Sequence, residues 1–345
     1  MDAPLWPWVL GKLMAGEDLS ADEAGAAMSA ILEGNASAAH IAGFAVALRV
    51  KGETAAEMAA LVRTMLAFAE RVDIAGPLVD TCGTGGDHSG TINVSTIAAF
   101  VAAGAGARVA KHGNRAMSSA CGSADLLETL GVVIDLGPEG VARCIEEAGI
   151  GFCFAPRFHP ALRHAGPTRR ELGVRTTFNF LGPLANPAGV RRHALGVSDP
   201  AMGERMVATL AALGAERALV FHGHDGLDEL TTTTTSAVWE LRDGEIRSFV
   251  LDPARFGIPR ALPGDLVGGG PARNAEIARA VLGGAAGPAR DIVVLNAAAV
   301  LVAAGCVAGF EAGVAAAAAS LDEGRAAACL ARLVTLSAAA GPAGG

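Results

Sequence analysis

The spacing of apolar residues divides the chain into two parts. In the first part, up to about residue 75, apolar side chains recur every three or four positions, as in helices with one buried face. Ser20 with Glu23 matches the Ser/Thr-x-x-Glu capping box that begins a helix. Thr54 with Glu57 repeats this pattern. The sequence therefore predicts a small bundle of four short helices, each of which needs its neighbours for stability.

In the second part, short apolar runs of strand length alternate with helical stretches, which predicts a largely parallel sheet covered by helices. Strands are predicted over 78–80, 108–110, 132–134, 152–154, 193–197 and 218–222. Helices are predicted over 93–104, 122–130, 139–148 and 200–213, and alanine-rich helix is predicted from 274 to about 337. The Asp243-Gly244 turn predicts a hairpin over 239–250.

The predicted fold class is therefore α/β, with a small N-terminal helical domain and a larger α/β domain with a mainly parallel sheet. A length of 345 residues exceeds that of one common domain. The expected divisions are 1–75 for the helical domain, 76–338 for the α/β domain and 339–345 for a flexible tail. Whether later helices complete the N-terminal bundle stays open at this level.

Composition narrows the class of protein. With 51% hydrophobic and 18% charged residues the chain is not of the disordered type, and a net charge of −8 argues against a basic nucleic-acid coat. Six cysteines without a Cys-x-x-Cys pair indicate reduced thiols, and the start of the chain lacks a secretory pattern, so we expect a cytoplasmic protein. The apolar run 292–310 contains Asn296 and lacks basic flanks, which favours a buried helix over a membrane span.

Candidate chemistry is concentrated between residues 80 and 123. The glycine loop, defined as residues 83–87 (Gly-Thr-Gly-Gly-Asp), follows a predicted strand, and glycines let backbone N–H groups point at an anion. Residues 93–96 (Asn-Val-Ser-Thr) begin the next predicted helix, whose amino end is a second anion site. The spacing matches neither a P-loop nor a dinucleotide fingerprint, and a simple tight turn is the alternative. We interpret the region as a site for a small molecule with several phosphates.

Three further clusters could complete such a site. Residues 111–115 (Lys-His-Gly-Asn-Arg) follow a predicted strand, at the end where α/β sheets bind ligands; a solvated basic turn is the alternative. Asp228 and Glu229 also follow a predicted strand and suit Mg²⁺ shared with phosphate oxygens, unless they form an exposed acidic turn. The arginine-rich stretch 168–179 could bind a carboxylate, or pair with surface acids.

Together these segments resemble the anthranilate phosphoribosyltransferase family of tryptophan biosynthesis. The resemblance spans roughly residues 5–335 and is carried, in the family's order and spacing, by residues 83–87, 93–96, 111–115, 122–125, 169–187 and 228–229. It implies a fold of the nucleoside phosphorylase/phosphoribosyltransferase type, usually as a homodimer, with no nucleic-acid or membrane partner. The implied reaction transfers 5-phosphoribose from phosphoribosyl pyrophosphate to the amino group of anthranilate and releases pyrophosphate.

The resemblance also implies roles for individual residues. The phosphoribosyl donor would be bound by Gly83, Gly86, Asp87, Thr91, Asn93, Val94, Ser95, Thr96, Lys111, His112, Gly113, Asn114, Arg115, Ala116, Met117, Ser118, Ser119 and Ser123. Anthranilate would contact Gly83, Asn114 and Arg169, with His112, His159 and Pro183 lining its approach. Ser95, Asp228 and Glu229 would hold Mg²⁺, expected as two ions. No general acid or base is assigned, because the aromatic amine is neutral near pH 7 and already nucleophilic.

Two departures and two alternatives accompany the resemblance. Ala120-Cys121 stands where the family commonly has Lys-Ser, and five threonines fill 231–235, which puts the donor affinity in question. A pyrimidine nucleoside phosphorylase shares the two-domain plan, but it uses inorganic phosphate and needs no paired metal carboxylates. A non-catalytic nucleic-acid-binding relative is the alternative from another class; basic surface tracts would be expected of it, and this chain is acidic.

Overall fold

The first helices of the protein form the predicted bundle. The computed structural model describes residues 4–116 and 119–341. Its first four helices are α1 (Leu5–Met14), α2 (Ala21–Leu32), α3 (Ala38–Lys51) and α4 (Ala55–Ala67). Both predicted capping boxes are confirmed: the Ser20 hydroxyl accepts the Glu23 N–H at 3.2 Å while the Glu23 carboxylate accepts the Ser20 N–H at 2.8 Å, and Thr54 and Glu57 pair in the same way. Local capping chemistry thus sets where these helices begin.

A seven-stranded sheet forms the centre of the remaining described chain. Its strands are β1 (Val79–Gly83), β2 (Val109–Gly113), β3 (Ile150–Phe154), β4 (Arg192–Gly196), β5 (Arg217–Gly223), β6 (Ser236–Arg242) and β7 (Glu245–Leu251). The spatial order is β3-β2-β1-β4-β5-β6-β7, with the first five strands parallel and the last two antiparallel. The predicted parallel sheet is confirmed. So is the hairpin, since Asp243 and Gly244 have φ of 53° and 81°, as a type I′ turn requires.

Helices cover the two faces of this sheet. They are α5 (Val94–Gly104), α6 (Ser123–Thr129), α7 (Pro138–Ala148), α8 (Ala155–Phe158), α9 (Gly166–Leu172), α10 (Phe178–Leu181), α11 (Gly203–Ala212), α12 (Pro271–Leu282), α13 (Pro288–Ala304), α14 (Phe310–Asp322) and α15 (Arg325–Ala340). Short 3₁₀ helices lie at Pro160–His164, Gly182–Leu184, Pro200–Met202, Pro253–Phe256 and Pro263–Leu266. In β5 successive side chains alternate between faces: Leu219 packs in the core with α5 and α13, and Val220 in the core with α4 and α11.

The core that contains α1–α4 extends beyond the N-terminal residues. Met58 and Leu61 of α4 belong to the same buried cluster as Met206 and Leu210 of α11 and Val220 of β5. The C-terminal helices α12, α13 and α15 contribute to the core on the opposite face of the sheet. The helical bundle is therefore joined to the sheet through α11, while the C-terminal helices pack elsewhere.

The prediction of a strand over residues 132–134 is wrong. The Val132 N–H donates to the carbonyl of Leu127 in α6, at 2.9 Å. The Val133 N–H donates to the hydroxyl of Ser337 on α15, at 3.0 Å. Because helices satisfy these groups, Val132 and Ile134 are buried in the core without joining the sheet. Short apolar runs of this kind are ambiguous at the level of sequence.

Of the apolar run 292–310, residues 292–304 lie in the buried helix α13, as predicted, whereas residues 305–309 form a turn before α14. Every residue of α13 from Ile292 to Ala304 is buried. No helix within residues 4–116 and 119–341 combines the length and apolar character that crossing a membrane requires. Of the predicted flexible tail 339–345, Ala339 and Ala340 belong to α15, and residues 342–345 lie outside the described residues.

Candidate active site

The predicted site segments meet at the carboxyl edge of the parallel sheet. Gly83 ends β1, Gly113 ends the neighbouring β2, and Gly196 at the end of β4 pairs in register with Gly83. The acidic loop, defined as residues 225–229, follows β5 at the same edge. Chain segments far apart in sequence therefore converge where parallel sheets bind their ligands.

The glycine loop and the acidic loop are in direct contact. The Gly85 N–H donates to Oδ2 of Asp228 at 2.7 Å. A Cβ added at Gly83 would collide with the same carboxylate oxygen, so any larger residue would displace the Asp228 side chain. Gly85 and Gly86 have φ of +67° and +75°, in the left-handed region that glycine adopts without strain. The loop geometry thus depends on glycine for both conformation and space.

The first turn of α5 reaches the same point. The Ser95 N–H donates to Oε1 of Glu229 at 3.1 Å, so the helix amino end binds a carboxylate already within the fold. Lys111 is buried in β2, where Nζ donates to the Thr81 carbonyl at 2.6 Å and lies 3.5 Å from Oγ of Ser95. Carboxylate, hydroxyl and ammonium groups are therefore gathered around Ser95.

The two adjacent carboxylates are buried with little compensating charge. Burial, followed by the negative charge of Asp87, raises the pKa of Asp228. Burial, followed by the charge of Asp228, raises the pKa of Glu229 well above its usual value. A cation would relieve both effects, and a hydroxyl with two carboxylates is a donor set that suits Mg²⁺.

This donor set is incomplete without other ligands. Among the residues that the structure describes, no three His, Cys, Asp or Glu side chains form a ready metal site. Mg²⁺ commonly takes one or two carboxylates and completes its six positions with water and phosphate oxygens. Ser95, Asp228 and Glu229 therefore fit an ion that arrives with a phosphorylated substrate.

The remaining residues of this loop region hold one another in place. Asp87 accepts the Ser89 hydroxyl at 2.6 Å, and that hydroxyl lies 3.2 Å from Oγ1 of Thr91. Asn93 precedes α5 and uses its side chain to donate to the Cys121 carbonyl at 2.9 Å. Val94 and Thr96 are buried in the first turn of α5. These contacts hold the segment that leads into α5 at the carboxyl edge of the sheet.

The described residues of the segment after β2, 114–116 and 119–122, contact α6. The Ser123 hydroxyl donates to the Asn114 carbonyl at 3.2 Å, and the Ser119 hydroxyl donates to the Cys121 carbonyl at 3.3 Å. Oδ1 of Asn114 accepts the Arg115 N–H at 2.7 Å. Met117 and Ser118 lie outside the described residues.

The Arg115 and Ala116 positions are held by acids of α6. The Arg115 guanidinium is exposed, pairs with Asp125 at 3.3 Å and with Glu128, and so points along α6. The Ala116 N–H donates to Asp125 at 2.9 Å. The Arg115 charge is therefore neutralised by the acids of α6.

Arg169 is a partly buried cation on α9. Burial lowers its pKa, and the guanidinium lies over the ring of Phe178 at 5.4 Å from the centroid. Within residues 4–116 and 119–341 no carboxylate comes within 4.0 Å of its nitrogens, so a surface ion pair does not explain this arginine. Its planar N–H groups can donate to a carboxylate from outside the chain.

Two buried histidines lie near the 3₁₀ helix that contains Pro183. Burial, followed by the neighbouring His159, lowers the pKa of His112 to about 3, and burial also lowers the pKa of His159. Their ring centroids are 5.2 Å apart. Nε2 of His159 lies 2.8 Å from the carbonyl of Ala185, just after the 3₁₀ helix that contains Pro183. The structure thus brings together the three residues predicted to line the acceptor's approach.

Sequence reasoning missed a buried polar network beneath β2. Oδ1 of Asp80 accepts the His112 N–H at 3.1 Å, and Oδ2 accepts Nδ2 of Asn186 at 2.8 Å. Burial raises the pKa of Asp80 to about 6, against the opposing effect of the Lys111 charge. An acid inside a predicted buried strand is the available signal, whereas the Asn-Pro at 186–187 by itself indicates only a turn.

Comparison with known proteins identifies the chain. Two family models match it: the helical bundle domain of a glycosyl transferase family over residues 8–69 and the a/b domain of a glycosyl transferase family over 75–327. The anthranilate phosphoribosyltransferase of Salinispora arenicola is 51% identical over 346 residues, which cover 98% of this chain and 98% of that protein. The chain belongs to the anthranilate phosphoribosyltransferase family.

Solved structures agree with this membership. The crystal structure of anthranilate phosphoribosyltransferase from Thermus thermophilus superposes with a TM-score of 0.91 at 46% identity, covering 96% of this chain and 99% of that one. The enzyme from Saccharomyces cerevisiae in complex with PRPP and Mg gives 0.90 at 28% identity, covering 98% and 99%. Its complex with 4-fluoroanthranilate gives 0.86 at 27% identity, covering 97% and 98%.

Membership of this family favours neither alternative named from the sequence, the pyrimidine nucleoside phosphorylase or the non-catalytic nucleic-acid-binding relative. The fold prediction of a helical bundle beside an α/β domain is confirmed. The departure at Cys121 is a buried thiol whose Sγ lies 3.5 Å from the Gly122 carbonyl and whose pKa is raised by burial. This packed thiol stands where the family commonly has serine, and Ala120, where the family commonly has lysine, supplies no cation.

Proposed function

We propose that this chain transfers 5-phosphoribose from phosphoribosyl pyrophosphate (PRPP) to the amino group of anthranilate, in tryptophan biosynthesis. The products are N-(5-phosphoribosyl)anthranilate and pyrophosphate. The observation that carries the proposal is the direct contact between Gly85 of the glycine loop and Asp228 of the acidic loop, in a chain that belongs to this family. Arg169, whose guanidinium lies over the Phe178 ring, supplies a place for an anionic acceptor.

The donor would be bound where the glycine loop, the start of α5 and the end of β2 meet. We assign to it the residues proposed from the sequence, with backbone N–H groups of the glycine loop and the ammonium of Lys111 nearest to its phosphates. When bound by Ser95, Asp228 and Glu229, magnesium, proposed as two ions, would neutralise charge that develops on the departing pyrophosphate. The Mg-bound complex of the yeast relative supports this assignment.

The acceptor would be oriented by Arg169, with His112, His159 and Pro183 beside it. The neutral amine of anthranilate needs no strong base, and both histidines have lowered pKa values, so they can orient the acceptor without adding positive charge. Holding the amine in line with the ribose carbon supplies an effective concentration that can lower the barrier by about 7–11 kcal/mol in favourable cases. The 4-fluoroanthranilate complex of the yeast relative supports a benzoate-type acceptor.

The proposal is tested by following anthranilate fluorescence. Addition of PRPP should cause a loss of fluorescence that depends on Mg²⁺ and releases pyrophosphate. No metal-dependent loss, at any PRPP concentration, would refute the proposed function.

The acceptor assignment is tested separately with Arg169→Ala. Removing a charged hydrogen-bonding group that binds a carboxylate should raise KM for anthranilate by about tenfold or more, while KM for PRPP changes little. The matched control is Arg163→Ala, because Arg163 is an exposed arginine of the same region that donates to the Pro160 carbonyl, at 3.4 Å. An unchanged KM for anthranilate in Arg169→Ala would contradict the assignment.

We also propose a cytoplasmic homodimer with a division into residues 1–75 and 76–338. Free thiols at all six cysteines support a reducing compartment. Helices α1 and α3 pack against each other and carry exposed apolar side chains, among them Trp8, Met14 and Val50. Exposed apolar side chains on neighbouring helices are typical of an interface between subunits.

A further inference from the structure

Arg175 contacts the glycine loop through the carbonyls of Gly85 and Gly86. It lies three residues beyond α9, and its Nη2 donates to the Gly85 carbonyl at 2.9 Å. Its Nη1 donates to the Gly86 carbonyl at 3.4 Å and to the Ser198 hydroxyl at 2.7 Å. One guanidinium thus joins two successive carbonyls of the loop to the segment after β4.

Ser198 reinforces the same contact. Its hydroxyl donates to the Gly85 carbonyl at 2.8 Å, and its N–H donates to Oγ1 of Thr84 at 3.1 Å. The Gly85 carbonyl therefore receives donors from both Arg175 and Ser198. The Gly85 N–H points the other way and donates to Asp228 at 2.7 Å.

The carbonyls and the N–H groups of the glycine loop therefore have different partners. The Gly85 and Gly86 carbonyls, which would repel a phosphate, accept hydrogen bonds from Arg175 and Ser198. The Gly85 N–H instead donates to the Asp228 carboxylate. Glycines at left-handed φ have many alternative conformations, so such a loop needs external contacts to keep one of them. The Arg175 guanidinium is itself fixed over the Phe180 ring, 5.3 Å from the centroid.

We propose that Arg175 is a positioning residue that holds the glycine loop in its donor-binding conformation. It acts through the Gly85 and Gly86 carbonyls and does not touch the donor itself. Because Arg175 lies in the same chain segment as Arg169, it also connects the acceptor side of the site to the donor side. The inference rests on the proposed function, since the ligand of the loop is taken to be PRPP.

The geometry requires arginine in particular. Its planar fork presents several N–H donors in fixed directions, which lets one side chain bridge Gly85, Gly86 and Ser198. A lysine keeps the charge but has a single donor group, so it can replace only part of these contacts.

The test compares affinities for PRPP with Mg²⁺, measured by titration calorimetry on the full-length protein. Arg175→Gln should weaken PRPP binding about tenfold, equivalent to about 1.4 kcal/mol, and raise KM for PRPP more than it lowers kcat. Arg175→Lys should recover part of the affinity. The melting temperature should stay near the wild-type value, which separates positioning of the loop from a general loss of structure.

Arg191→Gln is the matched control. Arg191 also donates to a main-chain carbonyl, that of Gly214 at 3.0 Å, but it precedes β4 at the opposite edge of the sheet. Equal PRPP affinities of wild type and Arg175→Gln, or an equal loss in Arg191→Gln, would overturn the inference. If Arg175→Gln does not fold, Ser198→Ala should weaken PRPP binding in the same direction by about threefold, and an unchanged affinity there would overturn it as well. Failure of the wild-type protein to bind PRPP would refute the proposed function together with this inference.

Discussion

Asn296 offers a test of how the acidic loop is held in place. It is 2% exposed, it lies within the apolar stretch 292–304 of α13, and its side-chain oxygen and nitrogen both form hydrogen bonds. Oδ1 accepts the Leu230 N–H at 2.9 Å, while Nδ2 donates to the carbonyls of Leu230 at 2.8 Å and Ile292 at 2.9 Å. Leu230 directly follows Glu229, so the amide fixes the backbone next to the paired carboxylates.

The substitution Asn296→Leu keeps the side-chain size and removes these hydrogen bonds. The Leu230 N–H and carbonyl would lose their partner in a region where Leu230 is fully buried. The Ile292 carbonyl would keep its helical hydrogen bond. Two buried backbone groups without partners cost about 1–3 kcal/mol each, partly offset by the apolar leucine, so we expect a loss of about 3 kcal/mol in the free energy of unfolding.

The measurement is urea unfolding followed by circular dichroism, at one temperature and pH. Leu295→Met is the control, because it changes shape but not volume on the same buried helix and should cost less than about 1.5 kcal/mol. We also expect Asn296→Leu to need a higher Mg²⁺ concentration for half-maximal activity, since the backbone that carries Asp228 and Glu229 is less restrained. A loss of stability no larger than that of the control would refute the reasoning.

Two further predictions concern carboxylates of the N-terminal bundle. Glu57 is fully buried, accepts the Leu19 N–H at 2.8 Å and pairs with Lys51 at 2.9 Å. Glu57→Ala should therefore lower the free energy of unfolding, measured in urea, by about 3–5 kcal/mol. A loss below about 1 kcal/mol would contradict this account. The hydrogen bond from Lys12, with smaller contributions from Trp8 and the Ser20 N–H, lowers the pKa of Glu23 from 4.5 to about 2. Because the folded-state pKa is the lower one, this stabilisation is present above pH 4.5 and is lost as the pH falls toward 2. The pKa shift corresponds to at most about 3 kcal/mol, and solvent screening near the surface reduces this stabilisation to about 1 kcal/mol. Glu23→Gln should therefore be less stable than wild type by about 1 kcal/mol at pH 6 and by less at pH 3. An equal difference at both pH values would show that the pKa shift does not contribute.

Local features of the sequence predicted much of the fold. The capping boxes at Ser20 and Thr54 set helix starts through contacts that span three residues, and Asp243-Gly244 sets a hairpin through its own backbone angles. The alternation of strands and helices placed the glycine loop and the acidic loop at one edge, because all parallel strands end on the same side. These outcomes depend on interactions between residues close in sequence or on the general geometry of parallel sheets.

Other outcomes depended on residues far apart in the chain. The run 132–134 has a strand-like pattern, but the Val133 N–H donates to Ser337 of α15, about 200 residues later in the chain. Arg175 lies in an arginine-rich stretch that does not reveal its partners, because they lie about 90 residues earlier at Gly85 and Gly86. Asn296 is visible in the sequence only as a polar residue in an apolar helix.

The sequence by itself determined which segments carry chemistry: the glycine loop, the start of α5, the end of β2 and the acidic loop. Only the tertiary structure decided how they are held, with Gly85 bonded to Asp228 on one side and to Arg175 on the other. The physical reason is that residue type and local spacing fix conformation and charge. The partner of a buried polar group is chosen by packing between distant elements.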